Sequence, residues 1–283
     1  MLMPVARCFV IIMGAAITFG CFPMQAPDRP RKYTNLEDAL KSREEVRFVS
    51  LDGAKLSKIP LVELSKLPGL KQLSLRQNHF ETVDAGICQL NGLVMLDLSR
   101  CGIKSLPDEM GKLAGLEQLY LPDNEITNLP AGITGFTSLK YLNLDRNKLV
   151  SLPAEIGKLK GLKWLRLNGN QLDRLPSEVG DLVSLERLYL EGNKLKDLPM
   201  DLSRLAKLTD LTMRQNELDV LPLSILQLQG LVRLDLDGNR LVALPERMKK
   251  LTKLRILLLA GNRFSEEEKD RIEKFLPDCH VIF

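Results

Sequence analysis

The side chains with the most binding chemistry to offer are aromatic and basic residues that recur through the middle of the chain. The 283 residues include one tryptophan and four tyrosines. The tryptophan, three of the tyrosines and three arginines fall in successive segments: Tyr120, Tyr141, Arg146, Trp164, Arg166, Arg187 and Tyr189. Tyr, Trp and Arg are enriched in binding hot spots, so this set predicts noncovalent recognition of a partner. Aromatic residues also favour exposed strands, and rings can stack on sugars, so a carbohydrate ligand is an alternative.

The sequence offers little for catalysis, a metal or a cofactor. His79 and His280 are the two histidines, too few and too far apart for a His-based cluster. We find no Gly-rich phosphate loop, no metal-ligand spacing and no nucleophile beside a base. The 40 basic and 36 acidic residues leave a net charge of only +4, and their mixture argues against a nucleic-acid track, which needs one sign. We therefore expect a protein that is not an enzyme and uses no cofactor.

The elements that must position these residues are sequence repeats. Asn124 and Asn147 are 23 residues apart, and the same step continues in both directions. Nine positions share this register, one of them a cysteine: Asn78, Cys101, Asn124, Asn147, Asn170, Asn193, Asn216, Asn239 and Asn262. A fixed period of roughly 20 to 50 residues is typical of a solenoid.

Each repeat follows one pattern, shown by Leu162-x-x-Leu165-x-Leu167-x-x-Asn170-x-Leu172. Seven Leu-Pro pairs, from Pro107 to Pro245, recur at the same step. The pattern resembles the leucine-rich repeat family over residues 46–276, specifically the LxxLxLxxNxLxxLPxxIxxLxx class of bacterial proteins. The same class occurs in plant and animal intracellular proteins linked to Ras-type signalling. The resemblance implies a horseshoe that binds a partner on its concave face: an exported bacterial scaffold for a protein partner or, alternatively, an intracellular adaptor of Ras-type signalling.

The physical chemistry of one unit leads to the same fold. In LxxLxL, alternate leucines face one side of a short strand while the residues between them face out. Successive strands can pair in parallel, about 4.8 Å apart, if the Leu-Pro half supplies the crossover. Proline near its start favours irregular or 3₁₀ turns there. The asparagine amide can pair with backbone groups that would each cost about 1–3 kcal/mol if buried alone. We predict an α/β repeat solenoid of about ten units, with a parallel sheet on its concave face.

Both ends of the array carry signals for a cap. Residues 34–45 are predicted to form an N-terminal capping helix, residues 46–264 the repeats, and residues 265–283 a C-terminal cap. Thr34 to Glu37 and Ser265 to Glu268 are capping-box signatures, which mark helix starts. Caps are needed because a terminal repeat exposes an apolar face. We expect the capped array to be a monomer.

The N-terminal segment predicts export. Residues 1–20 are apolar, with Arg7 as their only charge, and resemble a signal peptide. Gly20-Cys21 resembles a bacterial lipobox, in which the cysteine is lipidated and becomes the first mature residue. Residues 21–33 carry three prolines and predict a flexible tether. We expect a lipoprotein anchored through Cys21 on the periplasmic side or cell surface; secretion without lipid and a cytoplasmic form are the alternatives.

Overall fold

One curved, parallel sheet runs through residues 31–283, the part of the chain that the computed structural model describes. Its twelve strands follow the order of the sequence, and each strand pairs with the next. They are β1 (Lys32–Tyr33), β2 (Phe48–Ser50), β3 (Gln72–Ser74), β4 (Met95–Asp97), β5 (Gln118–Tyr120), β6 (Tyr141–Asn143), β7 (Trp164–Arg166), β8 (Arg187–Tyr189), β9 (Asp210–Thr212), β10 (Arg233–Asp235), β11 (Ile256–Leu258) and β12 (His280–Ile282). The predicted fold class is confirmed. The predicted signal peptide, residues 1–20, and Cys21 lie outside the described residues.

The middle residue of each repeat strand anchors it to the core. Leu119, Leu142 and Leu165 are paired in register across β5, β6 and β7, and all are buried. The residues on either side of each leucine face the opposite surface, because side chains alternate along a strand. Every repeat therefore presents two outward strand positions in register with those of its neighbours.

The convex side is built from short 3₁₀ helices, as the Leu-Pro pattern predicted. They span Ala85–Gln89, Asp108–Lys112, Ala131–Gly135, Ala154–Lys158, Ser177–Asp181, Leu223–Gln227 and Glu246–Lys250. Most follow directly after the proline of the pair; Pro153, for example, has φ −72° and precedes Ala154–Lys158. Proline suits this place because its fixed φ is compatible with a helix start and it has no N–H to leave unpaired.

One repeat departs from this rule. Residues 200–204, where the 23-residue step places a 3₁₀ helix, form no helix. The Gln227 side chain of the next repeat bonds to this backbone instead, accepting from the Leu202 amide at 2.7 Å and donating to the Met200 carbonyl at 3.0 Å. A side chain from the neighbouring repeat thus satisfies backbone groups that helix formation would otherwise pair.

The ends of the array differ from the sequence-based boundaries. Helix α1 (Leu36–Lys41) is shorter than the predicted 34–45, and a one-turn helix, α2 (Leu61–Leu64), follows in the first repeat. Strand β1 takes Lys32 and Tyr33 from the predicted tether of residues 21–33, because Tyr33 is buried and its hydroxyl lies 2.7 Å from Ser42 Oγ. At the other end, helix α3 (Glu266–Phe275) precedes β12. The ten strands β2 to β11 agree with the predicted ten or so repeat units, and one further strand at each end brings the sheet to twelve.

Candidate functional site

Strands β5 to β8 place the predicted aromatic residues on the outward face of the sheet. Tyr141 pairs in register with Trp164, so these two rings come from equivalent positions of adjacent repeats. Tyr120 and Tyr189 occupy the other outward position of their strands. The 23-residue period therefore converts residues far apart in sequence into neighbours on one surface.

Three rings form a continuous stack. The ring centroids of Tyr120 and Tyr141 are 4.9 Å apart with planes at 37°, and those of Tyr141 and Trp164 are 5.6 Å apart with planes at 56°. Tilted pairs at such distances stabilise by about 0.5–1.5 kcal/mol beyond the area they bury. The rings are half-buried by one another, yet one side of the stack stays open to solvent.

Two arginines lie over rings of the set, one over Trp164 and one over Tyr189. The Arg187 guanidinium is 4.5 Å from the Trp164 ring centroid, and that of Arg166 is 4.9 Å from the Tyr189 centroid. Arg166 also forms a 2.7 Å ion pair with Asp145, whose side chain is only 3% exposed. We call this set the aromatic strip: Tyr120, Tyr141, Trp164, Arg166, Arg187 and Tyr189.

Arg146, which the sequence grouped with these residues, takes a different position. It lies beyond the end of β6, where its backbone has a positive φ of 54°. Its Nε and Nη2 atoms donate to the Asp123 carboxylate at 2.5 and 2.8 Å, and its side chain is 60% exposed. Among the described residues its guanidinium lies over none of the aromatic rings.

A row of four charged residues borders the strip, each directly before the first residue of one of the strands β5 to β8: Glu117, Lys140, Lys163 and Glu186. Lys140 Nζ is 2.7 Å from Glu117 Oε1, and Lys163 Nζ is 3.1 Å from Glu186 Oε1. With Tyr141 these lysines help to line an open depression of about 510 Å³ above the ring stack. Sequence reasoning missed the lysines, although the repeat register that located the rings would have located them as well.

The Tyr120 and Tyr141 hydroxyls of the strip stay protonated. Burial raises the pKa of Tyr120, and the nearby Tyr141 and Asp97 add to the effect. Burial also raises the pKa of Tyr141, although Arg166 opposes the shift. Both hydroxyls can therefore donate hydrogen bonds at any physiological pH; that of Tyr120 donates to Gln118 Oε1 at 3.0 Å.

The repeated asparagines lie on the buried side of the turn that follows each strand. Asn170 Nδ2 donates to the carbonyls of Leu144 and Leu167, each at 2.9 Å, and its Oδ1 accepts from the Leu149 amide at 3.0 Å. One amide thus connects two adjacent repeats. The same donor bonds recur at the other asparagines of the series: Asn78, Asn124, Asn147, Asn193, Asn216, Asn239 and Asn262.

Cys101 occupies its place in this ladder with a thiol. Its Sγ donates to the Leu75 carbonyl at 3.1 Å, and its backbone amide donates to Asn124 Oδ1 at 3.0 Å. Burial raises the pKa of the thiol to about 11, so it is protonated and unreactive at neutral pH. In this repeat the ladder continues through a smaller and weaker donor.

Residues 31–283 show no arrangement suited to a metal or a membrane span. No group of three or more His, Cys, Asp or Glu side chains in this range could hold a metal ion. None of the helices in the same range is long and apolar enough to cross a bilayer.

Comparison with known proteins places this geometry in context. A family model described as "leucine-rich repeat region" matches residues 32–140 and 132–195, together more than half of the chain. No curated protein matches the sequence. Among solved structures, a leucine-rich repeat protein of Leptospira interrogans is 25% identical, with 89% of this chain and 100% of that chain covered and a TM-score of 0.37.

Two larger proteins share the fold more closely in space. A chain from the Toll–Spätzle complex of Drosophila is 27% identical over 80% of this chain, with a TM-score of 0.70. A TDR receptor is 25% identical over 84% of this chain, with a TM-score of 0.67. This chain spans only 31% and 42%, respectively, of those two chains.

Proposed function

This chain belongs to the leucine-rich repeat family, and from that premise we propose that it is a non-enzymatic scaffold that holds a protein partner on its concave face. The observation that carries the proposal is the aromatic strip. It gathers the only tryptophan and three of the four tyrosines of the chain on four adjacent strands. Truncation of one such residue at the centre of an interface can cost about 2 kcal/mol or more of binding energy.

The contacts within the strip suit a preformed binding surface. Arg166 is fixed by Asp145 and Tyr189, and Arg187 by Trp164, so these side chains lose little freedom when a partner docks. Proteins of the same fold include one solved as the Toll–Spätzle complex, which supports a protein ligand. The family and fold are typically those of scaffolds, and the depression above the strip is open to solvent rather than enclosed.

The double variant Trp164→Ala with Tyr189→Ala tests this function. We expect it to lose capture of the partner from extracts of the native cell, measured by affinity purification and mass spectrometry against wild type. Its melting temperature should fall by only about 2–6 °C, because both side chains face outward and one ring pair of about 0.5–1.5 kcal/mol is lost.

Phe48→Ala is the matched control. Phe48 also faces outward, on β2, under a lysine 5.4 Å from its ring, but it lies outside the strip. Capture retained by the double variant would refute the proposal. Loss of folding would instead mean that these rings are part of the core.

A carbohydrate ligand is the second candidate, favoured by the open depression above the Tyr141 and Trp164 rings. Because Trp164 is the only tryptophan, its fluorescence reports directly on this surface. Titration with oligosaccharides that saturates and is lost in Tyr141→Ala would favour the sugar. A flat titration together with protein capture would favour the scaffold.

We also propose that the scaffold is exported and anchored through a lipid on Cys21, on the evidence of the sequence of residues 1–21. Intact-mass and N-terminal analysis of the protein from membrane and soluble fractions tests this. A blocked, lipid-modified chain beginning at Cys21 is the expected result. An unmodified soluble chain that begins at Met1, Met13 or Met24 would favour the intracellular adaptor.

A further inference from the structure

The charged row beside the strip has a fixed order. Backbone hydrogen bonds connect its members in sequence: the Lys140 amide to the Glu117 carbonyl at 2.9 Å, Lys163 to Lys140 at 2.9 Å, and Glu186 to Lys163 at 2.8 Å. The four residues therefore lie side by side across β5 to β8. Along the solenoid, their charges are negative, positive, positive and negative.

The centre of this row carries two adjacent positive charges. Lys140 pairs with Glu117 at one end of the row, and Lys163 pairs with Glu186 at the other end. The two lysines are neighbours in the row, with no acidic member of the row between them. Like charges on neighbouring strands repel. Each ammonium can donate three hydrogen bonds, and the two side chains are 51% and 50% exposed. The row can thus accept a single anion at its centre.

The surface next to this centre is apolar. Tyr141 and Trp164 directly follow Lys140 and Lys163 in the chain, and all four side chains line the same open depression. A ligand whose negative group lies between the lysines would place an adjoining group over the rings. A ligand that fits this surface therefore carries one acidic group beside one apolar or aromatic group.

Resting on the protein-binding function proposed above, we infer that the partner presents an Asp or Glu side chain next to an apolar residue. The carboxylate bridges Lys140 Nζ and Lys163 Nζ, and the apolar side chain covers the rings of Tyr141 and Trp164. A carboxylate fits because it carries one charge and accepts several hydrogen bonds. The outer glutamates repel a doubly charged phosphate, and the open depression lets a chain pass across it, which favours an internal side chain over a chain terminus.

Selection from a random peptide library tests the inference without knowledge of the natural partner. The probe is a library of dodecapeptides displayed on phage, with their C termini fused to the coat protein so that only side-chain carboxylates are present. Wild type should enrich peptides with Asp or Glu beside Phe, Tyr, Trp, Leu or Ile. Lys140→Gln with Lys163→Gln should lose the acidic preference and keep the apolar one.

Lys104→Gln with Lys148→Gln is the matched control for charge. These lysines are 58% and 53% exposed and also pair with a glutamate of the preceding repeat, but they lie outside the depression. This variant should enrich the same peptides as wild type. Melting temperatures of both variants should match wild type, since exposed ion pairs contribute little to stability.

A thermodynamic cycle then locates the carboxylate. The best selected peptide, and the same peptide with its acid replaced by the amide, are titrated against wild type and the Lys140→Gln, Lys163→Gln variant with Trp164 fluorescence as the signal. The amide should weaken binding to wild type by about tenfold or more, as for a charge-assisted hydrogen bond. On the variant the two peptides should bind within about twofold of each other.

The outcomes separate this inference from the function on which it rests. Selected peptides without an acidic preference, or an equal loss for the amide peptide on both proteins, would overturn the inference and leave a protein-binding strip. Binding to the Trp164→Ala, Tyr189→Ala variant, which lacks the only tryptophan, is measured by the fluorescence anisotropy of a dye-labelled peptide. Selected peptides that bind this variant as tightly as wild type would instead overturn the proposed function.

Discussion

The asparagine ladder and the aromatic strip are two products of the same repeat, and they differ in burial and in extent. The ladder lies inside the turns, and Asn147 and Asn170 are each only 6% exposed. It recurs along the whole array. The strip lies on the solvent-facing side of the same sheet, where its residues are half-buried. It is confined to strands β5 to β8.

The ladder residues are needed for stability in every repeat, whereas the aromatic residues occur in only a few repeats. Each ladder amide satisfies buried backbone groups of two repeats, a requirement that returns at every step of the solenoid. An outward strand position has no such requirement, so its residue can vary without cost to the fold. A local concentration of Tyr, Trp and Arg at such positions is therefore better explained by binding than by stability.

The largest expected effect is on the ladder. Asn170→Ala leaves the Leu149 amide without its acceptor and removes one of two amide donors to each of the Leu144 and Leu167 carbonyls. Those carbonyls keep the donors Asn147 Nδ2 and Asn193 Nδ2, respectively. We expect the free energy of unfolding to fall by about 1–3 kcal/mol, because the Leu149 amide stays buried without a hydrogen-bond partner. Chemical denaturation measures the loss, and Asn128→Ala, at an exposed asparagine of a convex turn, is the control. A change no larger than that of the control would mean that the ladder does not stabilise the array.

A smaller effect is expected where the ladder lacks an amide. Cys101→Ala removes a thiol that donates to the Leu75 carbonyl, to which Asn78 Nδ2 also donates at 2.7 Å. Unlike Asn170 Oδ1, sulfur is only a weak acceptor, so the loss of the thiol deprives no backbone amide among the described residues of a strong hydrogen bond. The loss should be about 1 kcal/mol, set mainly by the small cavity and by the weakness of a thiol donor. Denaturation of both variants under one set of conditions compares the two positions. A larger loss for Cys101→Ala than for Asn170→Ala would mean that the side-chain amides are not what makes the ladder stabilising.

Most of the fold could be predicted from the sequence because the period repeats without interruption. A 23-residue step fixes which residues become neighbours, so the sheet, the 3₁₀ turns and the grouping of Tyr141 with Trp164 follow from counting. The predictions failed where a contact is not periodic. Residues 200–204 form no 3₁₀ helix, and the Gln227 side chain of the next repeat bonds to their backbone instead. No local sequence pattern predicts such a contact.

The sequence predicted the positions of the aromatic residues of the candidate site better than those of its charged residues. Counting places Arg146 near the strip, but the backbone turns to positive φ at that residue and directs the side chain to Asp123. Lys140 and Lys163 were overlooked because single lysines in a charge-rich sequence carry no signal of their own. Their significance arises only from their adjacency on neighbouring strands.

The smallest expected effect is that of a substitution at Arg146, which lies outside the strip. Arg146→Gln should leave partner capture unchanged, because the Arg146 guanidinium bonds to Asp123 and lies over no ring of the strip. Glutamine suits this backbone, since Gln77 and Gln215 have positive φ values of 57° and 53° in the structure. The free energy of unfolding at neutral pH should fall by less than about 1 kcal/mol, as is usual for an exposed ion pair.

The pH dependence of that loss identifies its origin. The hydrogen bond from Arg146 is the main cause that lowers the pKa of Asp123, with Arg100 contributing. A lowered pKa means that the ionised carboxylate stabilises the folded state. The contribution is therefore complete above the unfolded pKa of about 3.9 and disappears as the pH falls through the lower folded value. Denaturation curves of wild type and Arg146→Gln should differ at pH 7 and converge as the pH falls through the lowered pKa of Asp123. Loss of partner capture at neutral pH, with stability unchanged, would instead place Arg146 in the binding surface.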